Sequence, residues 1–257
     1  MRNQSPGRVP LLDELRGLSI LLMVLYHGAF DLIAFCGVSI PLYDAPFLQR
    51  FLQPLFAGLF ILISGAVCRY SRSNLRRGLA LLACALAVTL ITLAVSPDFP
   101  DLWGILHLLG AGMVLFALLR PLLDRAPPLP GAAVCGALFL LFYRLPYGAL
   151  GFGPFTLPLP EALYRVRWLF PLGLPASTFA SADYFPLLPW LALFFAGAYL
   201  GVPLRAGRMP AFFYRPRCRP LAAIGRCTLW IYLLHQPALL LLLPPAVAAL
   251  RAQGAPF

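Results

Sequence analysis

Three histidines make up the whole imidazole content of this 257-residue chain: His27, His107 and His235. Imidazole exchanges protons near neutral pH, and it can act as general base, general acid or transient acyl carrier. His27 stands in RGLSILLMVLYHGAFDL, between Arg16 and Asp31. On an α-helix Arg16 and His27 lie about 20° apart around the axis and about 16 Å apart along it. Asp13 and Asp31 fall in the same stripe, about 60° wide. Asp31, one turn beyond His27, is placed to orient the ring or hold its proton. Glu14 points off the stripe.

The other two histidines stand in WGILHLLG and WIYLLHQP. Counted from the ends of their apolar segments, all three lie at similar depth, about 6–9 Å below one edge of a ~30 Å hydrocarbon core. That match favours one shared site. Intramembrane histidines also hydrogen-bond across helices as packing glue, and two on facing helices could ligate a haem. Asp183 and Tyr184, in SADYFPLLPW, precede a further apolar segment. They are candidates for the same site, with Asp183 equally suited to cap a helix.

These residues need elements that keep them from lipid. The chain is 61% hydrophobic and 11% charged, with a mean hydropathy of +0.83. That composition excludes a soluble globular domain and implies an all-α, polytopic membrane helix bundle. Seven segments are long enough to span: Leu11–Phe35, Phe47–Cys68, Gly78–Val95, Leu102–Arg120, Pro130–Tyr147, Phe185–Val202 and Leu221–Pro244. A charge at mid-bilayer costs roughly 2.5–3.5 kcal/mol, so the Arg16–His27–Asp31 stripe must face other helices or a water-filled cavity. The chain divides into a tail at 1–10, a membrane domain at 11–244 with a Pro- and Gly-rich loop at 148–184, and a tail at 245–257. The run from Leu11 is too long for a cleaved signal peptide.

Charge orients the chain. Net charge is +11 and there is no Lys. Of the 20 arginines, 15 fall at the N-terminus and in or beside the loops after segments two, four and six, including Arg2, Arg8, Arg16, Arg69, Arg72, Arg76 and Arg77. The positive-inside rule then puts the N-terminus in the cytoplasm and the C-terminus outside. The same rule accounts for a pI of 9.9 without a nucleic-acid partner. The six cysteines show no CxxC and suggest neither a disulfide framework nor a metal site.

Arg-x10-His in a first spanning helix resembles the signature of the integral-membrane acyltransferase type three family. More specifically, LDELRGLSILLMVLYHGAFDL, WGILHLLG, SADYFPLLPWLALFFAG and LWIYLLHQP together resemble bacterial proteins of the heparan-α-glucosaminide N-acetyltransferase catalytic-domain family. The resemblance runs from about Leu11 to Leu243. It implies a multi-pass protein of the inner membrane that moves an acetyl or other acyl group from cytoplasmic acyl-CoA to an extracytoplasmic glycan or other small acceptor, at a sugar amine or hydroxyl. Acyl-CoA would be a donor substrate, with no permanently bound cofactor. His27 would be the catalytic imidazole, with Asp31, His107 and His235 beside it. Arg16 would serve the donor. Arg69 and Arg72, in an Arg-x-x-Arg, suit CoA phosphates, because a guanidinium fork matches phosphate oxygens. Asp183 and Tyr184 would meet the acceptor.

One departure limits the acceptor. Eukaryotic relatives carry a functional histidine in the outer loop after this helix, and Cys36–Gln49 has none. Direct transfer and an acyl-histidine intermediate both stay open, as does a homodimer. A proton-coupled transporter would use the same buried His and Asp residues, although seven segments without repeat symmetry fit inverted-repeat carriers poorly. A non-catalytic assembly subunit is the remaining alternative.

Overall fold

Seven helical runs among the described residues are long and apolar enough to cross a bilayer: Pro10–Ala34, Leu48–Tyr70, Asn74–Val95, Ile105–Leu123, Pro128–Tyr147, Leu187–Arg205 and Thr228–Ala252. They follow the seven expected segments in order. The computed structural model describes residues 9–98 and 100–253, so Arg2 and Arg8 lie outside the described residues. The chain packs as two compact units. One holds the residues up to Phe60 and those from Met209 onward; the other holds Ile61–Arg208.

In the first unit, α1 (Pro10–Ala34) starts on a proline whose missing N–H no helix turn would have used, with Asp13 favourably placed in its first turn. It is followed by the first part of α2 (Gln53–Val67), which is entered through a π-helical turn, Leu48–Leu52. The expected seventh segment, Leu221–Pro244, is not one helix. Cys227, at φ −104° and ψ 13°, separates α7 (Arg219–Arg226) from α8 (Thr228–Ala252). An apolar tally over Leu221–Ile224 merges the two, because it cannot see the break. α8 runs past Pro244 and Pro245 to Ala252, beyond the expected start of the tail at 245.

Backbone contact holds α1 to α7. A Cβ on Gly17 would lie 2.1 Å from the Leu221 carbonyl oxygen, and one on Gly225 would lie 1.8 Å from that of Asp13. Small residues at such crossings let helices touch where lipid offers no hydrophobic drive. Glu14 is buried and accepts from the Arg217 and Cys218 amides at 2.7 and 2.9 Å. It is a structural anchor, off the stripe but not idle. α8 lies parallel to α1: Thr228 meets Arg16, Gln236 meets Asp31, and Arg251 donates to the Cys36 carbonyl at 2.7 Å.

In the second unit, α3 (Asn74–Val95) and α4 (Ile105–Leu123) are antiparallel, with Gly78 against the Gly110 backbone and Thr89 beside His107. α6 (Leu187–Arg205) packs on the end of α2 through Gly65 and Gly197, each against partner carbonyls. α5 (Pro128–Phe142) sets Gly131 on the Tyr199 ring and Phe139 on Trp190. The loop at 148–184 carries a two-stranded antiparallel hairpin, β1 (Ala149–Phe152) and β2 (Phe155–Pro158), followed by short 3-10 turns.

Candidate functional site

The α1 stripe is covered by α8. Thr228 and His235 are seven residues apart, about 20° around that helix, so one face presents both. Arg16 donates from Nη2 to the Thr228 hydroxyl at 2.7 Å, and its guanidinium carbon lies 6.0 Å from the Phe60 ring centre. The rings of His27 and His235 meet edge to face, with centroids 5.1 Å apart. Rings in such contact leave no room for a haem between them. Asp31 is 1% exposed, and its two carboxylate oxygens accept from Gln236 Nε2 at 2.9 and 3.1 Å. Asp31 also lies within electrostatic range of His235.

A backbone carbonyl settles the tautomer of His235. Its Nδ1 lies 2.5 Å from the Tyr232 oxygen, which can only accept. Nδ1 therefore carries the proton, and Nε2 holds the lone pair of the neutral ring. Beside His27, Tyr26 donates to Gln49 Oε1 at 2.7 Å, and Gln49 donates to the Tyr43 carbonyl at 2.8 Å. The seam thus holds two imidazoles in contact, one of fixed tautomer, with a guanidinium farther along the same face. Such a pair can accept, hold and return protons, or carry an acyl group beside a base.

His107 belongs to the second unit and has other neighbours. It stacks on Trp103 with centroids 5.2 Å apart, and its Nε2 lies 3.5 Å from the Thr89 hydroxyl. Asp183 does not cap α6. Its Oδ2 accepts from Ile105 N–H at 3.0 Å, so a residue far along the chain caps α4. Tyr184 donates to the Phe170 carbonyl at 2.6 Å, and its backbone bridges Trp103. His107, Asp183 and Tyr184, expected at the same site as His27, gather at the start of α4 with Asp101 and Trp103, which spacing in the sequence does not pick out. Gln236 and Thr228 are missed likewise, although each is a polar residue in an apolar run beside a stripe partner.

Gly104 explains how two acids share this end of α4. A Cβ there would lie 2.5 Å from Asp101 Oδ1 and 2.7 Å from Asp183 Oδ2. The Asp101 carboxyl is pushed up to about 7 by burial and then by the charge of Asp183, against a hydrogen bond from Gly104 N–H. The folded state therefore favours the proton. Its stabilisation is fully present below the ordinary value of 3.8 and is lost as pH rises through about 7. The unfolding midpoint is expected to drop by several degrees between pH 5 and pH 8, and Asp101→Asn is expected to flatten that slope. Equal slopes in differential scanning fluorimetry would show that Asp101 does not titrate there.

Arg69 and Arg72, both expected to meet the donor, differ. Arg69 is buried; it donates to the Ala198 carbonyl at 2.8 Å, pairs with Asp124 and lies over Phe116 at 5.0 Å. Burial alone would raise the Asp124 carboxyl, but hydrogen bonds and charge from Arg69 and Arg120 outweigh it and hold the carboxyl below its usual range. Arg72 is exposed, as are Arg76 and Arg77.

A family model described as heparan-alpha-glucosaminide N-acetyltransferase, catalytic, matches residues 8–237. No curated protein and no solved structure matches the chain. The matched span takes in the α1 stripe, His107, Asp183 and the His235–Gln236 pair. By that match the chain belongs to the heparan-alpha-glucosaminide N-acetyltransferase catalytic-domain family, a family of membrane acetyltransferases.

Proposed function

We propose that this protein takes an acetyl group from cytoplasmic acetyl-CoA, or another acyl-CoA, and passes it to a sugar amine or hydroxyl at the outer face of the inner cell membrane. The observation that carries this reading is the ring contact of His27 and His235 on a face of α1 that leads back to Arg16. The arginine distribution supports the orientation, with the N-terminus and the loop bearing Arg72 in the cytoplasm.

The residues divide the work. Arg72 meets CoA phosphates, and Arg69, held by Asp124, positions the turn that displays it. Arg16 stands at the donor end of the seam. His27 is the reacting imidazole. His235, with its lone pair on Nε2, exchanges protons with it, and Asp31 with Gln236 holds that part of the seam in place. His107, Asp183 and Tyr184 serve the acceptor. In direct transfer His27 takes the proton of the acceptor as its amine or hydroxyl attacks the thioester carbonyl, and the C–S bond breaks to release CoA. In two-step transfer the imidazole attacks first, and CoA leaves as its thiol with the imidazole N–H proton; the acceptor then attacks the acyl-imidazole, the acyl C–N bond breaks, and His235 takes the acceptor's proton and returns it to His27.

Sealed proteoliposomes test the reading. Acetyl-CoA is supplied on one side and glucosamine, N-acetylglucosamine or a terminal glucosaminide on the other. Acceptor-dependent CoA thiol release and an acetylated product are expected. Solute flux without acyl consumption would replace the enzyme with a carrier. Mass analysis of protein quenched after acetyl-CoA alone separates the two chemistries, since only two-step transfer leaves an acetyl group on the His27 peptide.

A further inference from the structure

The hairpin after α5 carries apolar side chains that the described residues leave largely exposed. The helical run of α5 ends at Tyr147, and β1 begins at Ala149. The hairpin is tied to that end: Leu159 N–H donates to the Gly148 carbonyl at 2.8 Å, and the Tyr164 hydroxyl donates to the Leu145 carbonyl at 2.5 Å. Its turn is Gly153–Pro154, and φ +61° at Gly153 suits the first position of a tight II′ turn. The register pairs Leu150 with Leu157 and Phe152 with Phe155. Alternation assigns these four side chains to one side of the ribbon and leaves Ala149, Gly151, Thr156 and Pro158 to the other.

Exposure along this segment is extreme for such residues. Phe155 is 85% exposed, Leu157 65%, Tyr147 84%, and Trp168 in the following 3-10 turn 84%. A two-stranded hairpin is marginal in water; β1 rests half-buried against α5 through the Phe152–Tyr143 ring contact, while β2 is exposed along its length. Two observations choose its partner. The surface continues that of α5, whose Leu138, Leu140 and Leu141 also face outward along a membrane span. The segment also carries Arg144, Arg165 and Arg167 against the single acid Glu161. Aromatic rings with flanking arginines are the chemistry of the headgroup–acyl boundary, where rings enter the lipid and guanidinium groups meet phosphate.

We infer that Ala149–Pro158 and Trp168 bed into the headgroup–acyl boundary of the bilayer, making the long loop a membrane-anchored element. The inference does not depend on acyl transfer. It is tested in nanodiscs of phosphatidylcholine and phosphatidylglycerol brominated either near the headgroup or deep in the acyl chain. Phe155→Trp places a reporter on the ribbon, and Trp168→Phe removes the native one. The emission added by Phe155→Trp is expected to be quenched by about half or more by shallow bromines and less by deep ones. Trp168→Phe is expected to reduce the shallow-quenched fraction of the wild-type signal. Added emission that is equal in brominated and unbrominated discs overturns the inference. So does a signal that responds only to protein concentration, which points to a second copy, or only to added sugar, which points to the acceptor.

Discussion

His27→Ala is expected to lower acceptor-dependent CoA release by about 100- to 10,000-fold, the range for loss of a positioned acid–base group. The folded yield should stay that of the wild type, because the His27 ring meets α8 by ring contact and Gly17, Glu14 and Asp31 hold α1. His235→Ala is expected to fall in the same direction and to move the pH profile, since it removes the ring whose tautomer Tyr232 sets. Arg16→Ala should act on the KM for acetyl-CoA more than on turnover. Full activity in a folded His27→Ala protein would remove the seam from the mechanism. Equal losses of turnover in all three variants would point to collapse of the α1–α8 packing rather than to separate roles.

Gly17→Ala and Gly225→Ala are expected to give large losses of stability. At both positions the new methyl meets a backbone carbonyl, at 2.1 and 1.8 Å, and a carbonyl inside a helix cannot swing aside as a side chain can. The helices must move apart, which costs about 1–3 kcal/mol or more. That corresponds to roughly 2–4 °C in Tm per kcal/mol for a chain of this size. Gly136→Ala in α5 is the matched control, because nothing lies within 4 Å of its added methyl. It should be neutral or gain about 0.5–1 kcal/mol from the better helix former. Equal melting of the three variants in thermal scans would show that α1 and α7 do not depend on backbone contact. Gly17 adjoins Arg16, so Gly17→Ala should also raise the KM for acetyl-CoA where the protein still folds.

Much of this is legible in the sequence. A run of about twenty apolar residues has few outcomes other than a spanning helix, and each of the seven expected segments overlaps one. The stripe on α1 follows from 3.6 residues per turn, and its three polar groups do meet one neighbour, α8. The seventh segment shows where the reading stops. Leu221–Ile224 is apolar enough to join the following span, yet Gly225 is consumed by contact with α1 and the chain bends at Cys227. Hydropathy averages over such a break. Arg69 and Arg72 are a second case, since equal residues three positions apart in an Arg-x-x-Arg end up buried on Asp124 and exposed to solvent.

By itself, the sequence determined the class of the protein, the number of its spans and the face of α1 that lipid cannot touch, because each depends only on local composition and helical period. The tertiary structure alone decided what covers that face. It chose His235 as the partner of His27, gave Gln236 to Asp31 and Thr228 to Arg16, and placed His107 in the other unit with Trp103. Matching depth gives the three histidines a common level, but depth is one coordinate. The direction in which a side chain leaves its helix, and which helix lies there, are set by packing at Gly17, Gly78 and Gly197. The same limit turned Asp183 from a cap for its own helix into the cap of α4, since hydrogen-bond partners distant in sequence exist only once the chain has folded.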